Sequence, residues 1–184
     1  MGILTDSLER AEATHFTRPM PRTAQKQMQY LVKQTKGTAA AASLLGISRR
    51  TVERYVKGQF KQPHRDLAER LANEVRKRWQ PRVRDRAKKQ AATTGGIIID
   101  TRARLGFTAA PGTTDDPRLR PLTQGLPPAY AARLFDAHAA GATEQQLQDI
   151  VAEGLQEIYF KDRGRRAHGL QVDFTDIEYL DVDY

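Results

Sequence analysis

Two threonines stand directly before two aspartates in the stretch AAPGTTDDP, residues 109–117. The prolines and the glycine of this stretch disfavour both a helix and a central strand, so we expect a projecting loop. A hydroxyl in such a loop is able to accept a group that a partner enzyme transfers. The structural alternative is a turn in which threonine and aspartate side chains bond the backbone. The residues concerned are Gly112, Thr113, Thr114, Asp115 and Asp116.

A second chemical signal is the cluster of arginines within TAAAASLLGISRRTVERYVKG, residues 38–58. Two short helices that cross at a steep angle need a small residue at their contact and a flexible one at the corner. Ala42 and Gly46 have the spacing for these places. Thr38 and Ser48 carry the side chains of helix N-caps. The stretch therefore resembles a helix-turn-helix.

In a helix-turn-helix, the N-terminal end of the second helix enters the major groove of DNA. Arginine bonds bidentately to guanine edges, so the arginines at this end are expected to contact bases. The alternative is an ordinary helical hairpin with a solvated charged face. The DNA contacts that the motif predicts are Ser48, Arg49, Arg50, Thr51, Arg54 and Lys57.

A third segment, VRKRWQPRVRDRAKK over residues 75–89, is rich in lysine and arginine. A helix that is basic nearly all round is not stabilised by packing alone. We therefore expect the segment to lie along a phosphate backbone or to become ordered with DNA, with a stop or kink near Gln80 at Pro81. A solvated linker helix is the alternative. The expected phosphate contacts are Arg76, Lys77, Arg78, Arg82 and Arg84.

The charges of the chain are divided unequally between its two halves. Residues 1–90 carry 21 Lys and Arg against 8 Asp and Glu, whereas residues 91–184 carry 9 against 14. Such a basic half is typical of a protein that binds nucleic acid, because neutralising phosphates releases counterions. The chain has no cysteine and no apolar run of membrane-spanning length. We expect a cytoplasmic, nucleoid-associated protein that does not contact a membrane.

Helical periodicity and capping residues organise the basic half. They predict helices over residues 22–36, 38–45, 48–57 and from about 65 to 80. Small and polar residues then replace the apolar periodicity. We therefore predict an all-α DNA-binding domain over residues 1–90, followed by a linker over residues 91–96.

The acidic half combines strand and helix patterns. A β-branched strand is expected from Gly95, and a helix is expected after Pro127 and Pro128. TEQQ, residues 143–146, is a capping box that begins another helix. The alternation in LQVDFTDIEYLDVDY slips near Asp176, which predicts a bulged strand. The fold class expected for residues 97–184 is a small α+β domain that carries the loop at residues 109–117.

Other chemistries have little support in the sequence. The phosphate-binding loop of nucleotide triphosphatases is absent. Asp100, Asp115 and Asp116 are acidic residues of the type that a metal-dependent nuclease uses, but no further carboxylate pattern accompanies them. The histidines are scattered singly without the spacing of metal ligands: His15, His64, His138 and His168. We predict no metal site and no catalytic activity of the chain itself.

Several blocks of the sequence are similar to the telomere-protecting terminal proteins of linear actinomycete chromosomes and plasmids. Besides the helix-turn-helix segment, these blocks are GIIIDTRARLGFTAAPGTTDD, LPPAYAARLFDAH, AEGLQEIYFKD and VDFTDIEYLDV. The resemblance extends over essentially the whole chain, and the first of the four blocks is its most specific part.

The resemblance implies a protein that is covalently linked to the 5′ ends of a linear replicon and primes DNA synthesis there. A hydroxyl of the protein replaces the 3′-OH of a primer. The implied acceptor is Thr114, with Thr113 as the competitor. The implied partners are telomeric DNA ends with an overhang or hairpin, a telomere-associated protein, and a DNA polymerase that supplies Mg²⁺ and the dNTP. The chain itself would hold no cofactor.

Two other functions remain open at the level of sequence. A transcriptional regulator would combine the same DNA-binding half with an acidic half for dimerisation or partner contact, so a homo-oligomer is among the partners considered. A metal-dependent nuclease or recombinase would need a carboxylate arrangement that the sequence does not show. Palindromic half-sites in the bound DNA would favour the regulator, and a protein-blocked 5′ end would favour the terminal protein.

Overall fold

The computed structural model describes residues 2–108, 119–165 and 169–184 of the chain. Within these residues it has eight α-helices and one three-stranded antiparallel sheet. The mixed helix and sheet content predicted from the sequence is therefore confirmed. The chain divides into two compact units, one formed by Phe16–Arg82 and the other by Met1–His15 together with Val83–Tyr184.

The unit Phe16–Arg82, called the helical unit, has its own apolar core. Its four helices are α2 (Ala24–Gln34), α3 (Thr38–Leu45), α4 (Arg49–Val56) and α5 (Arg65–Arg78). They match the helices that the periodicity predicts. The core side chains are almost completely excluded from solvent and come from all four helices: Met28, Leu31, Leu45, Val52, Leu71 and Val75.

The other unit, called the sheet unit, is built on three strands. They are β1 (Ile97–Thr108), β2 (Leu119–Leu126) and β3 (Gln171–Asp183), in the spatial order β2-β1-β3. The helices α7 (Pro128–Ala139) and α8 (Glu144–Leu155) follow β2. Inward-facing residues of β1 pack in the same core as Leu134, Leu147 and Val151 of these helices. The expected strands at both ends of the acidic half are confirmed.

The strand β3 departs from regular pairing at two places. Its register with β1 shifts between Arg102 and Ala103 and again between Arg104 and Leu105. Each shift leaves one residue of β3 unpaired, first Glu178 and then Thr175. These bulges flank Asp176, where the alternation of the sequence slips, and so confirm the predicted bulged strand.

The boundary between the two units differs from the one expected. The helix α1 (Ile3–Thr14) belongs to the sheet unit, where Leu4 and Leu8 are buried in the core. The helix α6 (Pro81–Gln90) also belongs mostly to this unit. Residues 91–96, expected to form a linker, include a π-helical turn whose Ala91 is buried in the same core. The sign of the net charge changes near residue 90. The apolar core of the sheet unit, however, joins residues from both sides of that position.

A carboxylate from α8 holds the first turn of α1. The Oε1 atom of Glu144 accepts a hydrogen bond from the backbone N–H of Leu4 at 2.6 Å, and Oε2 accepts from the N–H and hydroxyl of Thr5 at 3.2 and 2.8 Å. Burial alone would raise the pKa of Glu144, but these hydrogen bonds outweigh it and lower the pKa. The negative charge also lies at the positive end of the α1 dipole.

Replacing Glu144 with glutamine is expected to lower the free energy of unfolding of the sheet unit by about 1 kcal/mol at neutral pH. Because folding lowers the pKa of this carboxyl, its stabilisation is present above the unfolded-state pKa and is lost as pH falls through the folded-state value. The difference between wild type and variant should therefore shrink in acid. Urea unfolding followed by far-ultraviolet circular dichroism at several pH values measures it. Glu69→Gln, at an exposed ion pair of α5, is the control and should change little.

Candidate nucleic-acid interface

The corner between α3 and α4 is closed by the glycine that the sequence singles out. Gly46 adopts a left-handed φ of 63°, a backbone conformation that residues with a Cβ rarely adopt. The next N–H, of Ile47, donates to the carbonyl of Ala42 at 3.0 Å, which ends α3 and turns the chain. Ala42 is buried, as its expected place at the helix contact requires. One expected cap is wrong, because Thr38 is the first residue of α3 and the preceding Gly37 is its N-cap.

The start of α4 is fixed by two hydroxyls. Ser48 is the N-cap, as predicted, and its Oγ accepts from the N–H of Thr51 at 3.1 Å. The two hydroxyl oxygens are also 2.9 Å apart and share a hydrogen bond. Val52 and Tyr55 are buried on the inner side of the helix. The first residues of α4 are therefore held by the fold, and the charged side chains lie on the opposite side.

The charged side of α4 forms a polar groove of about 330 Å³, called the α4 groove. Its lining residues are Arg50, Glu53, Arg54, Lys57 and Gln59. Arg49 lies next to it and donates from Nε to Glu53 Oε1 at 2.9 Å. Three cations thus face the groove against a single carboxylate, and that carboxylate is already engaged by Arg49. The α4 groove is suited to an anion.

An aromatic residue that sequence reasoning missed completes this surface. The guanidinium of Arg54 lies 5.3 Å from the ring centroid of Phe60, a cation–π contact. Phe60 in turn packs edge-on against Tyr55 at 5.4 Å and is 37% exposed. The signal available in the sequence was a phenylalanine directly after Gly58-Gln59 and before a lysine. Phe60 therefore positions Arg54 as well as covering Tyr55.

The end of α4 is tied to α2. The side-chain amides of Gln25 and Gln29 both donate to the carbonyl of Val56, at 3.2 and 3.1 Å. These bonds satisfy a carbonyl that the helix itself leaves free at its C-terminus. With the cap at Ser48, both ends of α4 are anchored, so its arginines project from a fixed support.

The whole helical unit is strongly basic. Phe16–Arg82 carries 16 Lys and Arg against 4 Asp and Glu, so the positive charge of the chain is concentrated in this unit more sharply than in residues 1–90. Such an excess attracts a polyanion from a distance and is screened by salt.

The basic segment 75–89 is not one uniform helix. As predicted, the chain breaks near Gln80, which has a positive φ of 43° between α5 and α6. Lys77 and Arg78 form ion pairs with Glu74 within α5, and Arg76 Nη1 donates to Asn73 Oδ1 at 3.2 Å.

The side chains of α6 divide between two faces. Arg84 Nε lies 3.6 Å from Glu12 Oε2, and Lys88 forms an ion pair with Glu12 Oε1. Glu12 is only 8% exposed. Arg84, expected to contact phosphate, is therefore turned towards α1, whereas Arg82 is exposed. A carboxylate 72 positions away in the sequence gave no local signal of this pairing.

This division predicts opposite consequences for two neighbouring arginines. If Arg82 contacts one phosphate, Arg82→Gln should lessen the slope of log K against log salt for DNA binding by about 0.9. The free energy of unfolding should stay unchanged, because Arg82 is exposed. Arg84→Gln should leave that slope unchanged and lower the free energy of unfolding by about 1–3 kcal/mol, because it removes a partner of buried Glu12. Binding titrations at several salt concentrations, with urea unfolding, measure both. Equal effects of the two variants on the slope would contradict the division.

The expected acceptor loop lies outside the described residues. This applies to Gly112, Thr113, Thr114, Asp115 and Asp116, which belong to the segment 109–118 between β1 and β2. The two strands pair antiparallel, with Arg104 opposite Leu119. The described residues therefore define the two strands that bound the segment and leave its chemistry a prediction.

Within the described residues, no cluster of three His, Asp or Glu side chains is arranged to hold a metal ion. In the same part of the chain, no helix has both the length and the apolar character needed to cross a bilayer. The chain matches no protein-family model, no curated protein and no solved structure. The function is therefore inferred from the residues themselves and from the resemblance found in the sequence.

Proposed function

We propose that the chain is a terminal protein, which binds DNA through α4 and becomes covalently linked to the 5′ end of a linear replicon when it primes synthesis there. The observation that carries the DNA-binding part is the α4 groove. It presents Arg50, Arg54 and Lys57 from a helix anchored at both ends, within a unit of strong positive charge.

The dimensions of α4 suit a duplex. A single α-helix fits the major groove of B-DNA, and α3–turn–α4 has the elements of a helix-turn-helix, with α4 as the recognition helix. Ser48, Arg49, Arg50 and Thr51 then lie at the end that enters the groove. Arg54 and Lys57 continue along the same charged side, next to Phe60. Base contacts are assigned to Arg50 and Arg54, because Arg49 is already paired with Glu53.

The priming part of the proposal rests on the sequence GTTDD and its resemblance to terminal proteins. The Oγ1 atom of Thr114 attacks the α-phosphorus of a dNTP, the bond to the β-phosphate breaks, and pyrophosphate leaves. The hydroxyl proton passes to solvent or to a base of the polymerase. Mg²⁺ held by the polymerase would activate the hydroxyl and neutralise the phosphates. Thr113 is the competing acceptor, and Gly112, Asp115 and Asp116 are the other residues assigned to the priming loop.

The proposal assigns the chain no catalytic activity of its own. Its partners are telomeric DNA, a telomere-associated protein that recruits it and the polymerase that supplies metal and nucleotide. The corresponding location is the nucleoid in the cytoplasm.

The state of the 5′ end tests this proposal against a transcriptional regulator. Linear DNA recovered from cells that contain the protein should resist a 5′ exonuclease and remain sensitive to a 3′ exonuclease. Protease treatment that leaves a short peptide should not restore 5′ sensitivity, because the ester bond remains. Free 5′ ends, together with binding to palindromic half-sites, would favour the regulator instead.

A further inference from the structure

The sheet unit contains a cavity that the α4 groove does not explain. It has a volume of about 210 Å³, below the roughly 300–1,000 Å³ of clefts that take drug-sized ligands, so it suits a single ring system. Its walls come from the end of α1, from α6 with the π-helical turn after it, and from the residue that follows β3. The lining residues used below are His15, Arg86, Ala87, Gln90, Ala91 and Tyr184.

The walls of this cavity are largely apolar. The rings of His15 and Tyr184 lie with their centroids 5.0 Å apart on one side. Ala87 and Ala91 contribute only methyl groups on the side of α6. Aromatic rings and small aliphatic groups are the surfaces between which unpaired bases stack in proteins.

Polar atoms around the cavity lack partners. His15 Nε2 and Tyr184 Oη make no hydrogen bond to any residue that the structure describes, and both atoms are enclosed, so a bound base reaches them only when these two rings turn towards the cavity. Burial raises the pKa of Tyr184, and the nearby Glu12 carboxylate adds to this effect, so the phenol remains a donor at neutral pH. The side-chain amide of Gln90 adds a donor and an acceptor. Nucleobase edges offer the complementary donors and acceptors.

One arginine lies at the rim of the cavity. Arg86 lines the cavity and is exposed on α6, while Arg84 and Lys88 of the same helix are engaged with Glu12. The pairing with Glu12 fixes the rotation of α6 and so leaves Arg86 at the mouth of the cavity. A cation beside a base-sized cavity is placed to contact the phosphate attached to the base.

We propose that this cavity binds one unpaired nucleotide of single-stranded DNA, with its base against His15 and Tyr184 and its phosphate at Arg86. The inference builds on the proposed DNA binding, but it adds a second site in the sheet unit that does not use α4. Free nucleotides share the same chemistry, and the experiment below distinguishes the two sources.

The test measures binding of the full chain to three labelled probes by fluorescence anisotropy: a blunt duplex, a short single strand and the same strand with abasic sites. Ala87→Phe, which fills the cavity, should weaken binding to the intact single strand about tenfold. Tyr184→Phe, which removes only the phenolic oxygen, should weaken it about threefold. Neither variant should change binding to the duplex or to the abasic strand. Ala129→Phe and Tyr179→Phe, at exposed positions outside the cavity, are the matched controls and should bind like wild type.

Unchanged single-strand affinity in Tyr184→Phe and in a folded Ala87→Phe would overturn the inference. A deoxynucleoside monophosphate that displaces the labelled strand at a much lower concentration than an unlabelled oligonucleotide does would assign the cavity to free nucleotides. That result would overturn the strand assignment. Duplex binding without single-strand binding would remove this inference alone. Failure of wild type to bind either DNA would remove the proposed function as well.

Discussion

Thr114→Val is expected to abolish covalent attachment of the first nucleotide. Valine keeps the β-branched shape of threonine and deletes only the oxygen that would form the phosphodiester. In the projecting loop that the sequence predicts here, such a change should alter the free energy of unfolding by less than about 0.5 kcal/mol. The measurement is transfer of label from a dNTP to the protein in an extract of a host that contains the polymerase, followed by denaturing electrophoresis.

Two companion variants make this result specific. Thr114→Ser should retain part of the labelling, because a primary alcohol remains in nearly the same place. Thr113→Val should be labelled like wild type. The bond in wild type should resist mild acid and break in alkali by elimination at the β-carbon. Full labelling of Thr114→Val would exclude this acceptor, and absence of labelling in Thr113→Val alone would move the site by one residue.

Replacing both Arg50 and Arg54 with alanine is expected to weaken specific duplex binding by about 2–6 kcal/mol, from roughly 1–3 kcal/mol for each arginine that bonds a base. Both side chains line the α4 groove, and neither has Glu53 as its ion-pair partner. Arg49→Ala should have a smaller effect, because its guanidinium is held by Glu53. Titration of labelled duplex at fixed salt measures the changes.

Arg65→Ala is the matched control for these substitutions. It removes one positive charge, as each single arginine substitution on α4 does, from the same helical unit, at a side chain that is 90% exposed and paired with Glu69 on α5. It should leave sequence preference unchanged and alter affinity only through the general salt-dependent attraction to phosphates. An equal decrease of affinity in Arg65→Ala and in the double variant would contradict the assignment of α4 as the recognition helix.

Elements whose signals are local could be predicted from the sequence. The capping box of Thr143 and Gln146 is present with both of its hydrogen bonds, and Ser48 caps α4 as expected. Gly46 takes the left-handed conformation that a corner requires. In each case, the feature depends on backbone groups within a few residues, so sequence spacing alone specifies it.

Contacts between distant residues could not be predicted. β2 was missed because Pro121 and Gly125 are poor strand residues, and its edge position in the sheet is what tolerates them. The place of α1 depends on Leu4 and Leu8 meeting a core formed mostly by residues after 96. The inward turn of Arg84 depends on Glu12.

These long-range contacts change how the proposed DNA-binding part should be isolated. A fragment of residues 1–90 would carry α1 and most of α6 without the sheet on which Leu4 and Leu8 pack. A fragment of residues 16–82 keeps the core of the helical unit, including Trp79, the chain's only tryptophan, as a fluorescence probe. It is therefore the better fragment for measuring binding through α4.

Mass spectrometry of the nucleotide-labelled protein tests the central claim most directly. After incubation of the full chain with a dNTP and the host extract, trypsin cleaves after Arg104 and Arg118 and releases residues 105–118 as one peptide. The account predicts that this peptide gains the mass of one deoxynucleoside monophosphate less one water and that fragmentation assigns the nucleotide to Thr114. A nucleotide on a tyrosine such as Tyr184, or an unmodified peptide in protein that is labelled elsewhere, would contradict it.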